Sequence, residues 1–95
     1  MFVIAVSGQD QKIADSLKKL YQQKNLADTV RFELLRNIAF NEVKDNKLAI
    51  RYAEDLINLS IQKGNQLYLH RGYFLKGNHE KLLGNLEVAD RKSVV

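Results

Sequence analysis

The sequence predicts an all-α domain built from antiparallel helical hairpins. From residue 10 onward, apolar side chains recur at spacings of three and four, which is the period of an amphipathic helix. The 95 residues include no proline, so no residue forces a helix to break. Beyond residue 6, no segment alternates polar and apolar residues as a strand does. Because the polar breaks are only two to four residues long, consecutive helices are expected to run antiparallel.

The first helix is predicted within residues 10–24, where it would cap one end of the helical domain. Asp10 is a suitable N-cap because its carboxylate can accept a hydrogen bond from a backbone N–H of the first turn. Lys18 and Lys19 lie near the other end, where the helix dipole favours cations. The predicted apolar face consists of Ile13, Leu17, Leu20 and Tyr21.

The second and third helices are predicted to form a complete hairpin over residues 28–64. Asp28 is the candidate N-cap of the second helix, and Asp45 or Asn46 is the candidate N-cap of the third. The third helix should end at Gly64, because glycine readily adopts the left-handed conformation found at helix C-termini. The wide apolar face of the second helix consists of Val30, Leu34, Leu35, Ile38, Ala39 and Val43.

The remaining residues, 66–95, are predicted to form a partial hairpin. A fourth helix would run from Gln66 to about Leu83, turn at Gly84, and be followed by a short fifth helix from Asn85. Gly72 and Gly77 lie inside the fourth helix, where each glycine costs about 1 kcal/mol relative to alanine. We expect close helix–helix approach to compensate for this cost.

An offset of 40 residues aligns two weakly similar helix–turn–helix segments. Repeats of this period are typical of solenoids, in which each repeat packs on its neighbours. The aligned pairs are Leu34 and Phe74, Leu35 and Leu75, Asp45 and Asn85, Leu48 and Val88, Ala49 and Ala89, and Arg51 and Arg91.

The second copy resembles the tetratricopeptide repeat (TPR). That pattern has a large residue followed four later by a small one, a glycine at the inter-helix turn and a small alanine early in the second helix. Tyr73, Gly77, Gly84 and Ala89 match it, although Lys76 stands where leucine is common. The resemblance implies a fragment of a right-handed solenoid with Gly77 packed against Ala89. It implies small packing residues in the first copy as well: Ala39, Ala49 and Ala53.

Residues 68–89 are also similar to the TPR region of bacterial signalling proteins. In those families the repeats follow an export signal and precede a membrane helix and an output module. The output module is often an adenylate or guanylate cyclase, a histidine kinase or a DNA-binding regulator. The resemblance implies that this chain is a sensor or interaction segment for signal transduction, and that the output module is not in this sequence.

Residues 1–8, MFVIAVSG, look like the end of a signal peptide, with Gln9 as the mature start. The segment lacks the basic residues and the length of a complete signal peptide, and a short β-prone or disordered arm is the alternative. The signal-peptide interpretation favours the periplasmic or exported side of a membrane-anchored protein, and a cytoplasmic location is its alternative. No other segment approaches the ~20 apolar residues that span a membrane.

The sequence indicates neither an enzyme nor a metal or cofactor site. The absence of cysteine excludes disulfides and thiolate metal sites. His70 and His79 fit no zinc-binding spacing, and both are expected at the surface. The serines have no evident base partner, so no catalytic residue is predicted.

Binding to a peptide or protein is the function that the sequence favours. The resemblance implies that the first helix of each hairpin lines a concave groove. Arginine and aromatic side chains are typical anchors of protein interfaces. The candidate partner-binding residues are Arg36, Phe40, Arg71, Phe74, Asn78 and Lys81. Because about three repeats make a stable stack, homo-oligomerisation through the open end is also expected.

A small basic helical regulator that binds nucleic acid is the alternative function. The chain has 15 Lys and Arg against 11 Asp and Glu, which gives a net charge of +4. A nucleic-acid-binding protein usually concentrates its cations on one face. Here the basic residues are interspersed with acidic ones, as on an ordinary solvated helix surface, so protein binding is favoured.

Overall fold

In the computed structural model, the backbone is described for residues 9–94 and the side chains for residues 9–84. This part of the chain forms four helices and no strand: α1 (Gln11–Tyr21), α2 (Asp28–Asn41), α3 (Asn46–Lys63) and α4 (Gln66–Val94). The prediction of an all-α fold is confirmed. The segment interpreted as a signal-peptide end and the side chain of Ala89 lie outside the described residues.

The predicted helix ends are mostly confirmed. Asp10 and Asp45 cap α1 and α3 by accepting hydrogen bonds from the backbone N–H of Lys12 and Leu48, at 2.9 and 3.0 Å. Gly64 ends α3 in the left-handed conformation, with φ of 67°. The prediction for α2 was wrong by one residue, because Ala27 is the N-cap and contributes no side-chain hydrogen bond.

Asp28, predicted as the N-cap of α2, is instead its first helical residue. Its carboxylate lies 3.8 Å from Arg31 and 3.3 Å from Lys63 at the end of α3. A negative charge in the first turn also interacts favourably with the helix dipole. Asp28 therefore stabilises the start of α2 through charge rather than through a capping hydrogen bond.

The predicted turn at Gly84 does not form. Helix α4 runs through Gly84 without a break, and its full length from Gln66 to Val94 is 29 residues, or about 43 Å at 1.5 Å per residue. The predictions of a fifth helix and of a partial hairpin were therefore wrong. A glycine inside a helix costs only about 1 kcal/mol, and good helix formers follow it at Leu86, Glu87 and Ala89. With no proline to end the helix, propagation prevails over the turn.

Helix α2 is the central element, because it packs against α1, α3 and α4. It is therefore buried on more than one face, and this differs from the single apolar face that the sequence predicts. Val30 and Val43 of that predicted face are 44% and 45% exposed, whereas Phe32 and Asn41 are buried. Its other buried residues are Leu34, Leu35, Ile38 and Ala39.

Helix α1 packs on α2 through a face rotated from the predicted one. Ala14 is fully buried, whereas Ile13 and Leu20 of the predicted apolar face are about half exposed. The small Ala14 side chain allows α1 to approach α2 closely. Tyr21, at the end of α1, makes an edge-to-face contact with Tyr52 of α3, with ring centroids 6.3 Å apart.

The main core lies between α2, α3 and α4. Three alanines predicted as packing residues, Ala39, Ala49 and Ala53, have no exposed surface. Small side chains at such positions bring helix backbones together. The core cluster consists of Phe32, Leu35, Ala39, Ala53, Leu56, Leu59 and Leu75, with Tyr21, Tyr52 and Tyr68 packed against it.

Gly72 is the glycine at which α4 and α3 approach most closely. A Cβ atom at Gly72 would lie 2.7 Å from Ile57 Cγ1 and 3.3 Å from the Ile57 backbone nitrogen. At Gly77 and Gly84 a Cβ atom would meet nothing within 4 Å. The expectation of compensating close packing is therefore right for Gly72 and wrong for Gly77, which lies on the exposed side of α4.

A buried carboxylate joins the α2–α3 loop to α1. Glu42 is 1% exposed, and its Oε1 accepts hydrogen bonds from Lys18 Nζ at 2.6 Å and Gln11 Nε2 at 3.0 Å. Its Oε2 accepts from the Asp45 backbone N–H at 3.1 Å. Gln11 Oε1 in turn accepts from two backbone N–H groups of the loop, both at 2.9 Å. We call Glu42, Lys18 and Gln11 the loop cluster.

The loop cluster determines the ionisation of its two charged members. Burial alone would raise the pKa of Glu42, but the hydrogen bonds from Lys18, Gln11 and the Asp45 backbone lower it below its ordinary value. The hydrogen bond to Glu42 raises the pKa of Lys18. Folding therefore favours the charged form of both groups, and the ion pair stabilises the folded state near neutral pH.

We predict that Gly72→Ala lowers the melting temperature. The added methyl group must displace Ile57 or the α3 backbone, and such overpacking typically costs about 1–3 kcal/mol. Gly77→Ala is the matched control in the same helix. It gains helix propensity without a clash, so it should raise the melting temperature by a few degrees. Thermal unfolding followed by circular dichroism measures both, and equal shifts would contradict the close approach.

We predict that Glu42→Gln destabilises the protein at pH 7 by about 1.5–3 kcal/mol, the usual range for hydrogen bonds to a charged group. The folded-state pKa is depressed, so the contribution is complete above the unfolded pKa of about 4.3 and is lost as the pH falls below it. The difference from wild type should therefore shrink between pH 5 and pH 3 in urea unfolding. Glu54→Gln, which removes a half-exposed partner of Lys76, is the control and should change little. A pH-independent Glu42→Gln difference would refute this account.

Candidate functional site

A groove of about 520 Å³ lies between α2 and α4. Both helices contribute to its walls, and most of the lining is apolar or basic. None of the described side chains that line it is acidic. The lining residues are Arg36, Asn37, Phe40, Leu67, His70, Arg71, Phe74 and Leu75.

Helical spacing brings these side chains to one face of each helix. On α2, Arg36 and Phe40 are four residues apart. On α4, Leu67, Arg71 and Phe74 follow at spacings of four and three. Two short rows of side chains therefore face each other across the groove.

Two contacts hold α4 against α2 near the groove. Tyr68 stacks on Phe32, with ring centroids 4.7 Å apart and an interplanar angle of 7°. Further along, His79 Nε2 lies 2.7 Å from the backbone oxygen of Ala39. Most of the groove residues lie between these two contacts along each helix. The two contacts therefore fix the relative position of the groove walls.

The apolar part of the groove is unusually open to solvent for large side chains. Phe74 is 67% exposed and Leu67 is 56% exposed, and Phe40 is at 36%. Leu75 beneath them is buried in the core. Such a contiguous apolar surface on a small domain is typical of an interaction site.

The two guanidinium groups differ in how strongly they are held. Arg71 Cζ lies 5.2 Å from the centroid of the Tyr68 ring, and its Nη1 is 3.9 Å from Glu33 Oε2. Arg36 donates a hydrogen bond to Asn37 Oδ1 at 3.0 Å. Within the described part of the chain, no carboxylate lies within 4 Å of the Arg36 guanidinium. Arg36 therefore keeps most of its donors free for a ligand.

Glu33 and Tyr68 form a polar contact at one end of the groove. The Tyr68 hydroxyl donates a hydrogen bond to Glu33 Oε2. This hydrogen bond, followed by burial, raises the pKa of Tyr68 above its ordinary value. The contact occupies the Glu33 carboxylate, which lies beside the groove and not in its lining.

The structure brings together four of the six partner-binding candidates. Arg36, Phe40, Arg71 and Phe74 all line the groove. Asn78 and Lys81 are exposed further along α4 and are not part of the lining. Sequence reasoning missed Asn37, Leu67, His70 and Leu75, although their helical spacing from the predicted residues could have indicated them.

The expectation that both histidines lie at the surface holds for His70 and is wrong for His79. His79 is 2% exposed. A carbonyl oxygen can only accept, so Nε2 carries a proton that it donates to Ala39 O. Nδ1 lies 3.1 Å from the side-chain amide of Asn46. His79 thus satisfies one of the last carbonyls of α2, which have no partner within the helix.

The described residues give little indication of metal or membrane chemistry. Among them, no group of three or more His, Asp or Glu side chains is placed to hold a metal ion. No helix in the described part of the chain is both long and apolar enough to cross a membrane.

We predict that His79→Ala destabilises the protein by about 1–3 kcal/mol, because it leaves the buried Ala39 carbonyl and the half-buried Asn46 amide without their partner. His70→Ala is the control: it makes the same chemical change on the exposed side of the same helix. It should alter stability by no more than about 0.5 kcal/mol. Urea unfolding at pH 7 measures both, and equal effects would show that the His79 contacts contribute nothing.

Comparison with known proteins finds no match among family models, curated proteins or solved structures. The resemblance to the tetratricopeptide repeat therefore remains a prediction from the sequence. The geometry of the groove is the observation on which a functional assignment depends.

Proposed function

We propose that this chain is a protein-interaction module that binds a peptide segment in the groove between α2 and α4. The proposal rests on the large, apolar and exposed surface that Phe40, Leu67 and Phe74 form. The groove volume of about 520 Å³ can accommodate a few side chains of a partner. Arg36 and Arg71, which also line the groove, supply the directional hydrogen bonds that fix a partner's orientation.

We propose further that the helices are a TPR-like fragment. Three features support this: the buried alanines of the α2–α3 hairpin, the packing of α4 against both helices of that hairpin, and the groove formed by the first and third of these three helices. The continuous α4 departs from the pattern, since a second complete hairpin would need a turn near Gly84. The proposed fragment thus comprises one hairpin followed by a long helix.

In this proposal the module serves bacterial signal transduction as a sensor or interaction segment. Support comes only from the sequence similarity of residues 68–89 to the TPR regions of such proteins. An output module such as an adenylate cyclase or a histidine kinase would belong to another part of the parent protein. Homo-oligomerisation through the open end of the repeat stack is part of the same proposal.

Protein binding is favoured over nucleic-acid binding by the distribution of charge. Among the residues whose side chains the structure describes, five cations form six ion pairs with carboxylates, and four of these pairs join different helices or join α1 to the α2–α3 loop. A phosphate-binding face would concentrate its cations on one surface, whereas the basic residues of this chain are interspersed with acidic ones. The exposed aromatic and aliphatic side chains of the groove fit a peptide better than a phosphate backbone.

A random peptide library displayed on phage tests the proposed function. We predict that selected peptides bind Phe74→Ala at least about tenfold more weakly, because an exposed aromatic in the lining of a groove is a typical binding hot spot. Tyr73→Ala is the matched control, since Tyr73 is a neighbouring exposed aromatic outside the lining. Fluorescence anisotropy measures the affinities.

Two results would contradict the groove assignment. One is a selection that yields no binding peptide. The other is an equal loss of affinity for Phe74→Ala and Tyr73→Ala, which would place the binding surface elsewhere. Strong, salt-dependent binding of nucleic acid with no peptide binding would favour the alternative function.

A further inference from the structure

We propose that the groove selects an acidic peptide in which an internal aspartate or glutamate has an apolar residue on each side. This inference rests on the proposed function and specifies the chemistry of the partner. It depends on the order of charged and apolar side chains along the groove and on the absence of any carboxylate in the lining.

The charge of the groove favours an anionic partner. Among the side chains that the structure describes, its lining includes two guanidinium groups and no carboxylate. Arg71 Nη1 lies 3.9 Å from Glu33 Oε2, outside the lining. The same Glu33 oxygen already accepts a hydrogen bond from the Tyr68 hydroxyl. Arg36 has no carboxylate partner in the described part of the chain. The groove therefore presents positive charge that is not neutralised in the free protein.

The planar guanidinium group matches a carboxylate, which is the anion that the side chains of an unmodified peptide carry. Its parallel N–H donors pair with the two oxygens of a carboxylate in a forked geometry. Such a pair gains strength beside apolar side chains, which reduce its contact with water. Arg36 precedes Phe40 by one turn on α2, and both side chains line the groove.

The order of residues on α4 indicates an internal acidic residue. Arg71 lies between Leu67 and Phe74, and a rise of 1.5 Å per residue separates these two apolar positions by about 10 Å along the helix. A carboxylate held at Arg71 thus has an apolar site on either side. A C-terminal carboxylate would leave one of those sites empty. A peptide in the polyproline II conformation rises about 3.1 Å per residue and has three residues per turn. Apolar residues three apart therefore lie on the same face, about 9 Å from each other, and would fill both sites.

Three blocked tetrapeptides test the inference by NMR titration of the ¹⁵N-labelled full chain. The first is acetyl-Leu-Glu-Ala-Phe-amide, and the second replaces its glutamate with glutamine. The third is the glutamine peptide with a free C-terminal carboxylate. We expect the glutamate peptide to bind at least fivefold more tightly than either of the others, with the largest shifts at the amides of the groove residues.

Variants of the cations identify the source of the selectivity. Arg36→Gln and Arg71→Gln should each reduce the preference for glutamate over glutamine by at least half. Lys81→Gln is the control, because it removes a cation from α4 outside the lining and should leave the preference unchanged. Arg36→Gln is the cleaner variant, since Arg71 also contacts Tyr68. A melting curve for each variant verifies that it is folded.

The outcomes separate this inference from the proposed function. Equal binding of the glutamate and glutamine peptides would overturn the acidic selectivity while leaving peptide binding in the groove intact. Tightest binding of the peptide with a free C-terminus would overturn the internal position of the acid. No shift of any groove amide with any peptide would overturn both proposals.

Discussion

The close approach of α4 to α3 at Gly72 is the constraint on which the groove depends. Where other side chains would hold the helices apart, Gly72 lets α4 lie against Ile57 and the Ala53 carbonyl. With α4 at this depth, Tyr68 can stack on Phe32 and His79 can reach the end of α2. A larger separation would break both contacts and change the distance between the groove walls. The interaction surface is thus determined by a residue that does not line it.

The loop cluster is a second constraint, because its buried charge determines the conformation of the α2–α3 loop. Glu42 leaves α2 at the point where the chain must turn toward α3, and its carboxylate is held by two side chains from α1. Burying an ionised group is costly without partners, so one loop conformation is strongly preferred. α1 is thereby linked to the α2–α3 connection as well as to the apolar surface of α2.

Local signals explain what could be predicted from the sequence. The caps at Asp10 and Asp45 and the end of α3 at Gly64 depend on nearby backbone groups, so residue identity is sufficient. Four groove residues could be predicted because helical spacing places them together. The turn at Gly84 failed because glycine permits a turn without requiring one. The roles of Gly72 and His79 depend on residues 15 and 40 positions away, and periodicity alone does not reveal such contacts.

The C-terminal end of α2 also has a consequence for how the protein folds. Its carbonyl groups at Ala39 and Phe40 accept hydrogen bonds from His79 and Gln9, which are 40 and 31 residues away on opposite sides of the chain. The central helix is therefore completed only when segments from both sides have arrived. Long-range closure of this kind couples the helices into one cooperative transition and slows folding relative to a bundle of local contacts. A peptide containing α2 alone would lack both partners and should not retain this helix end.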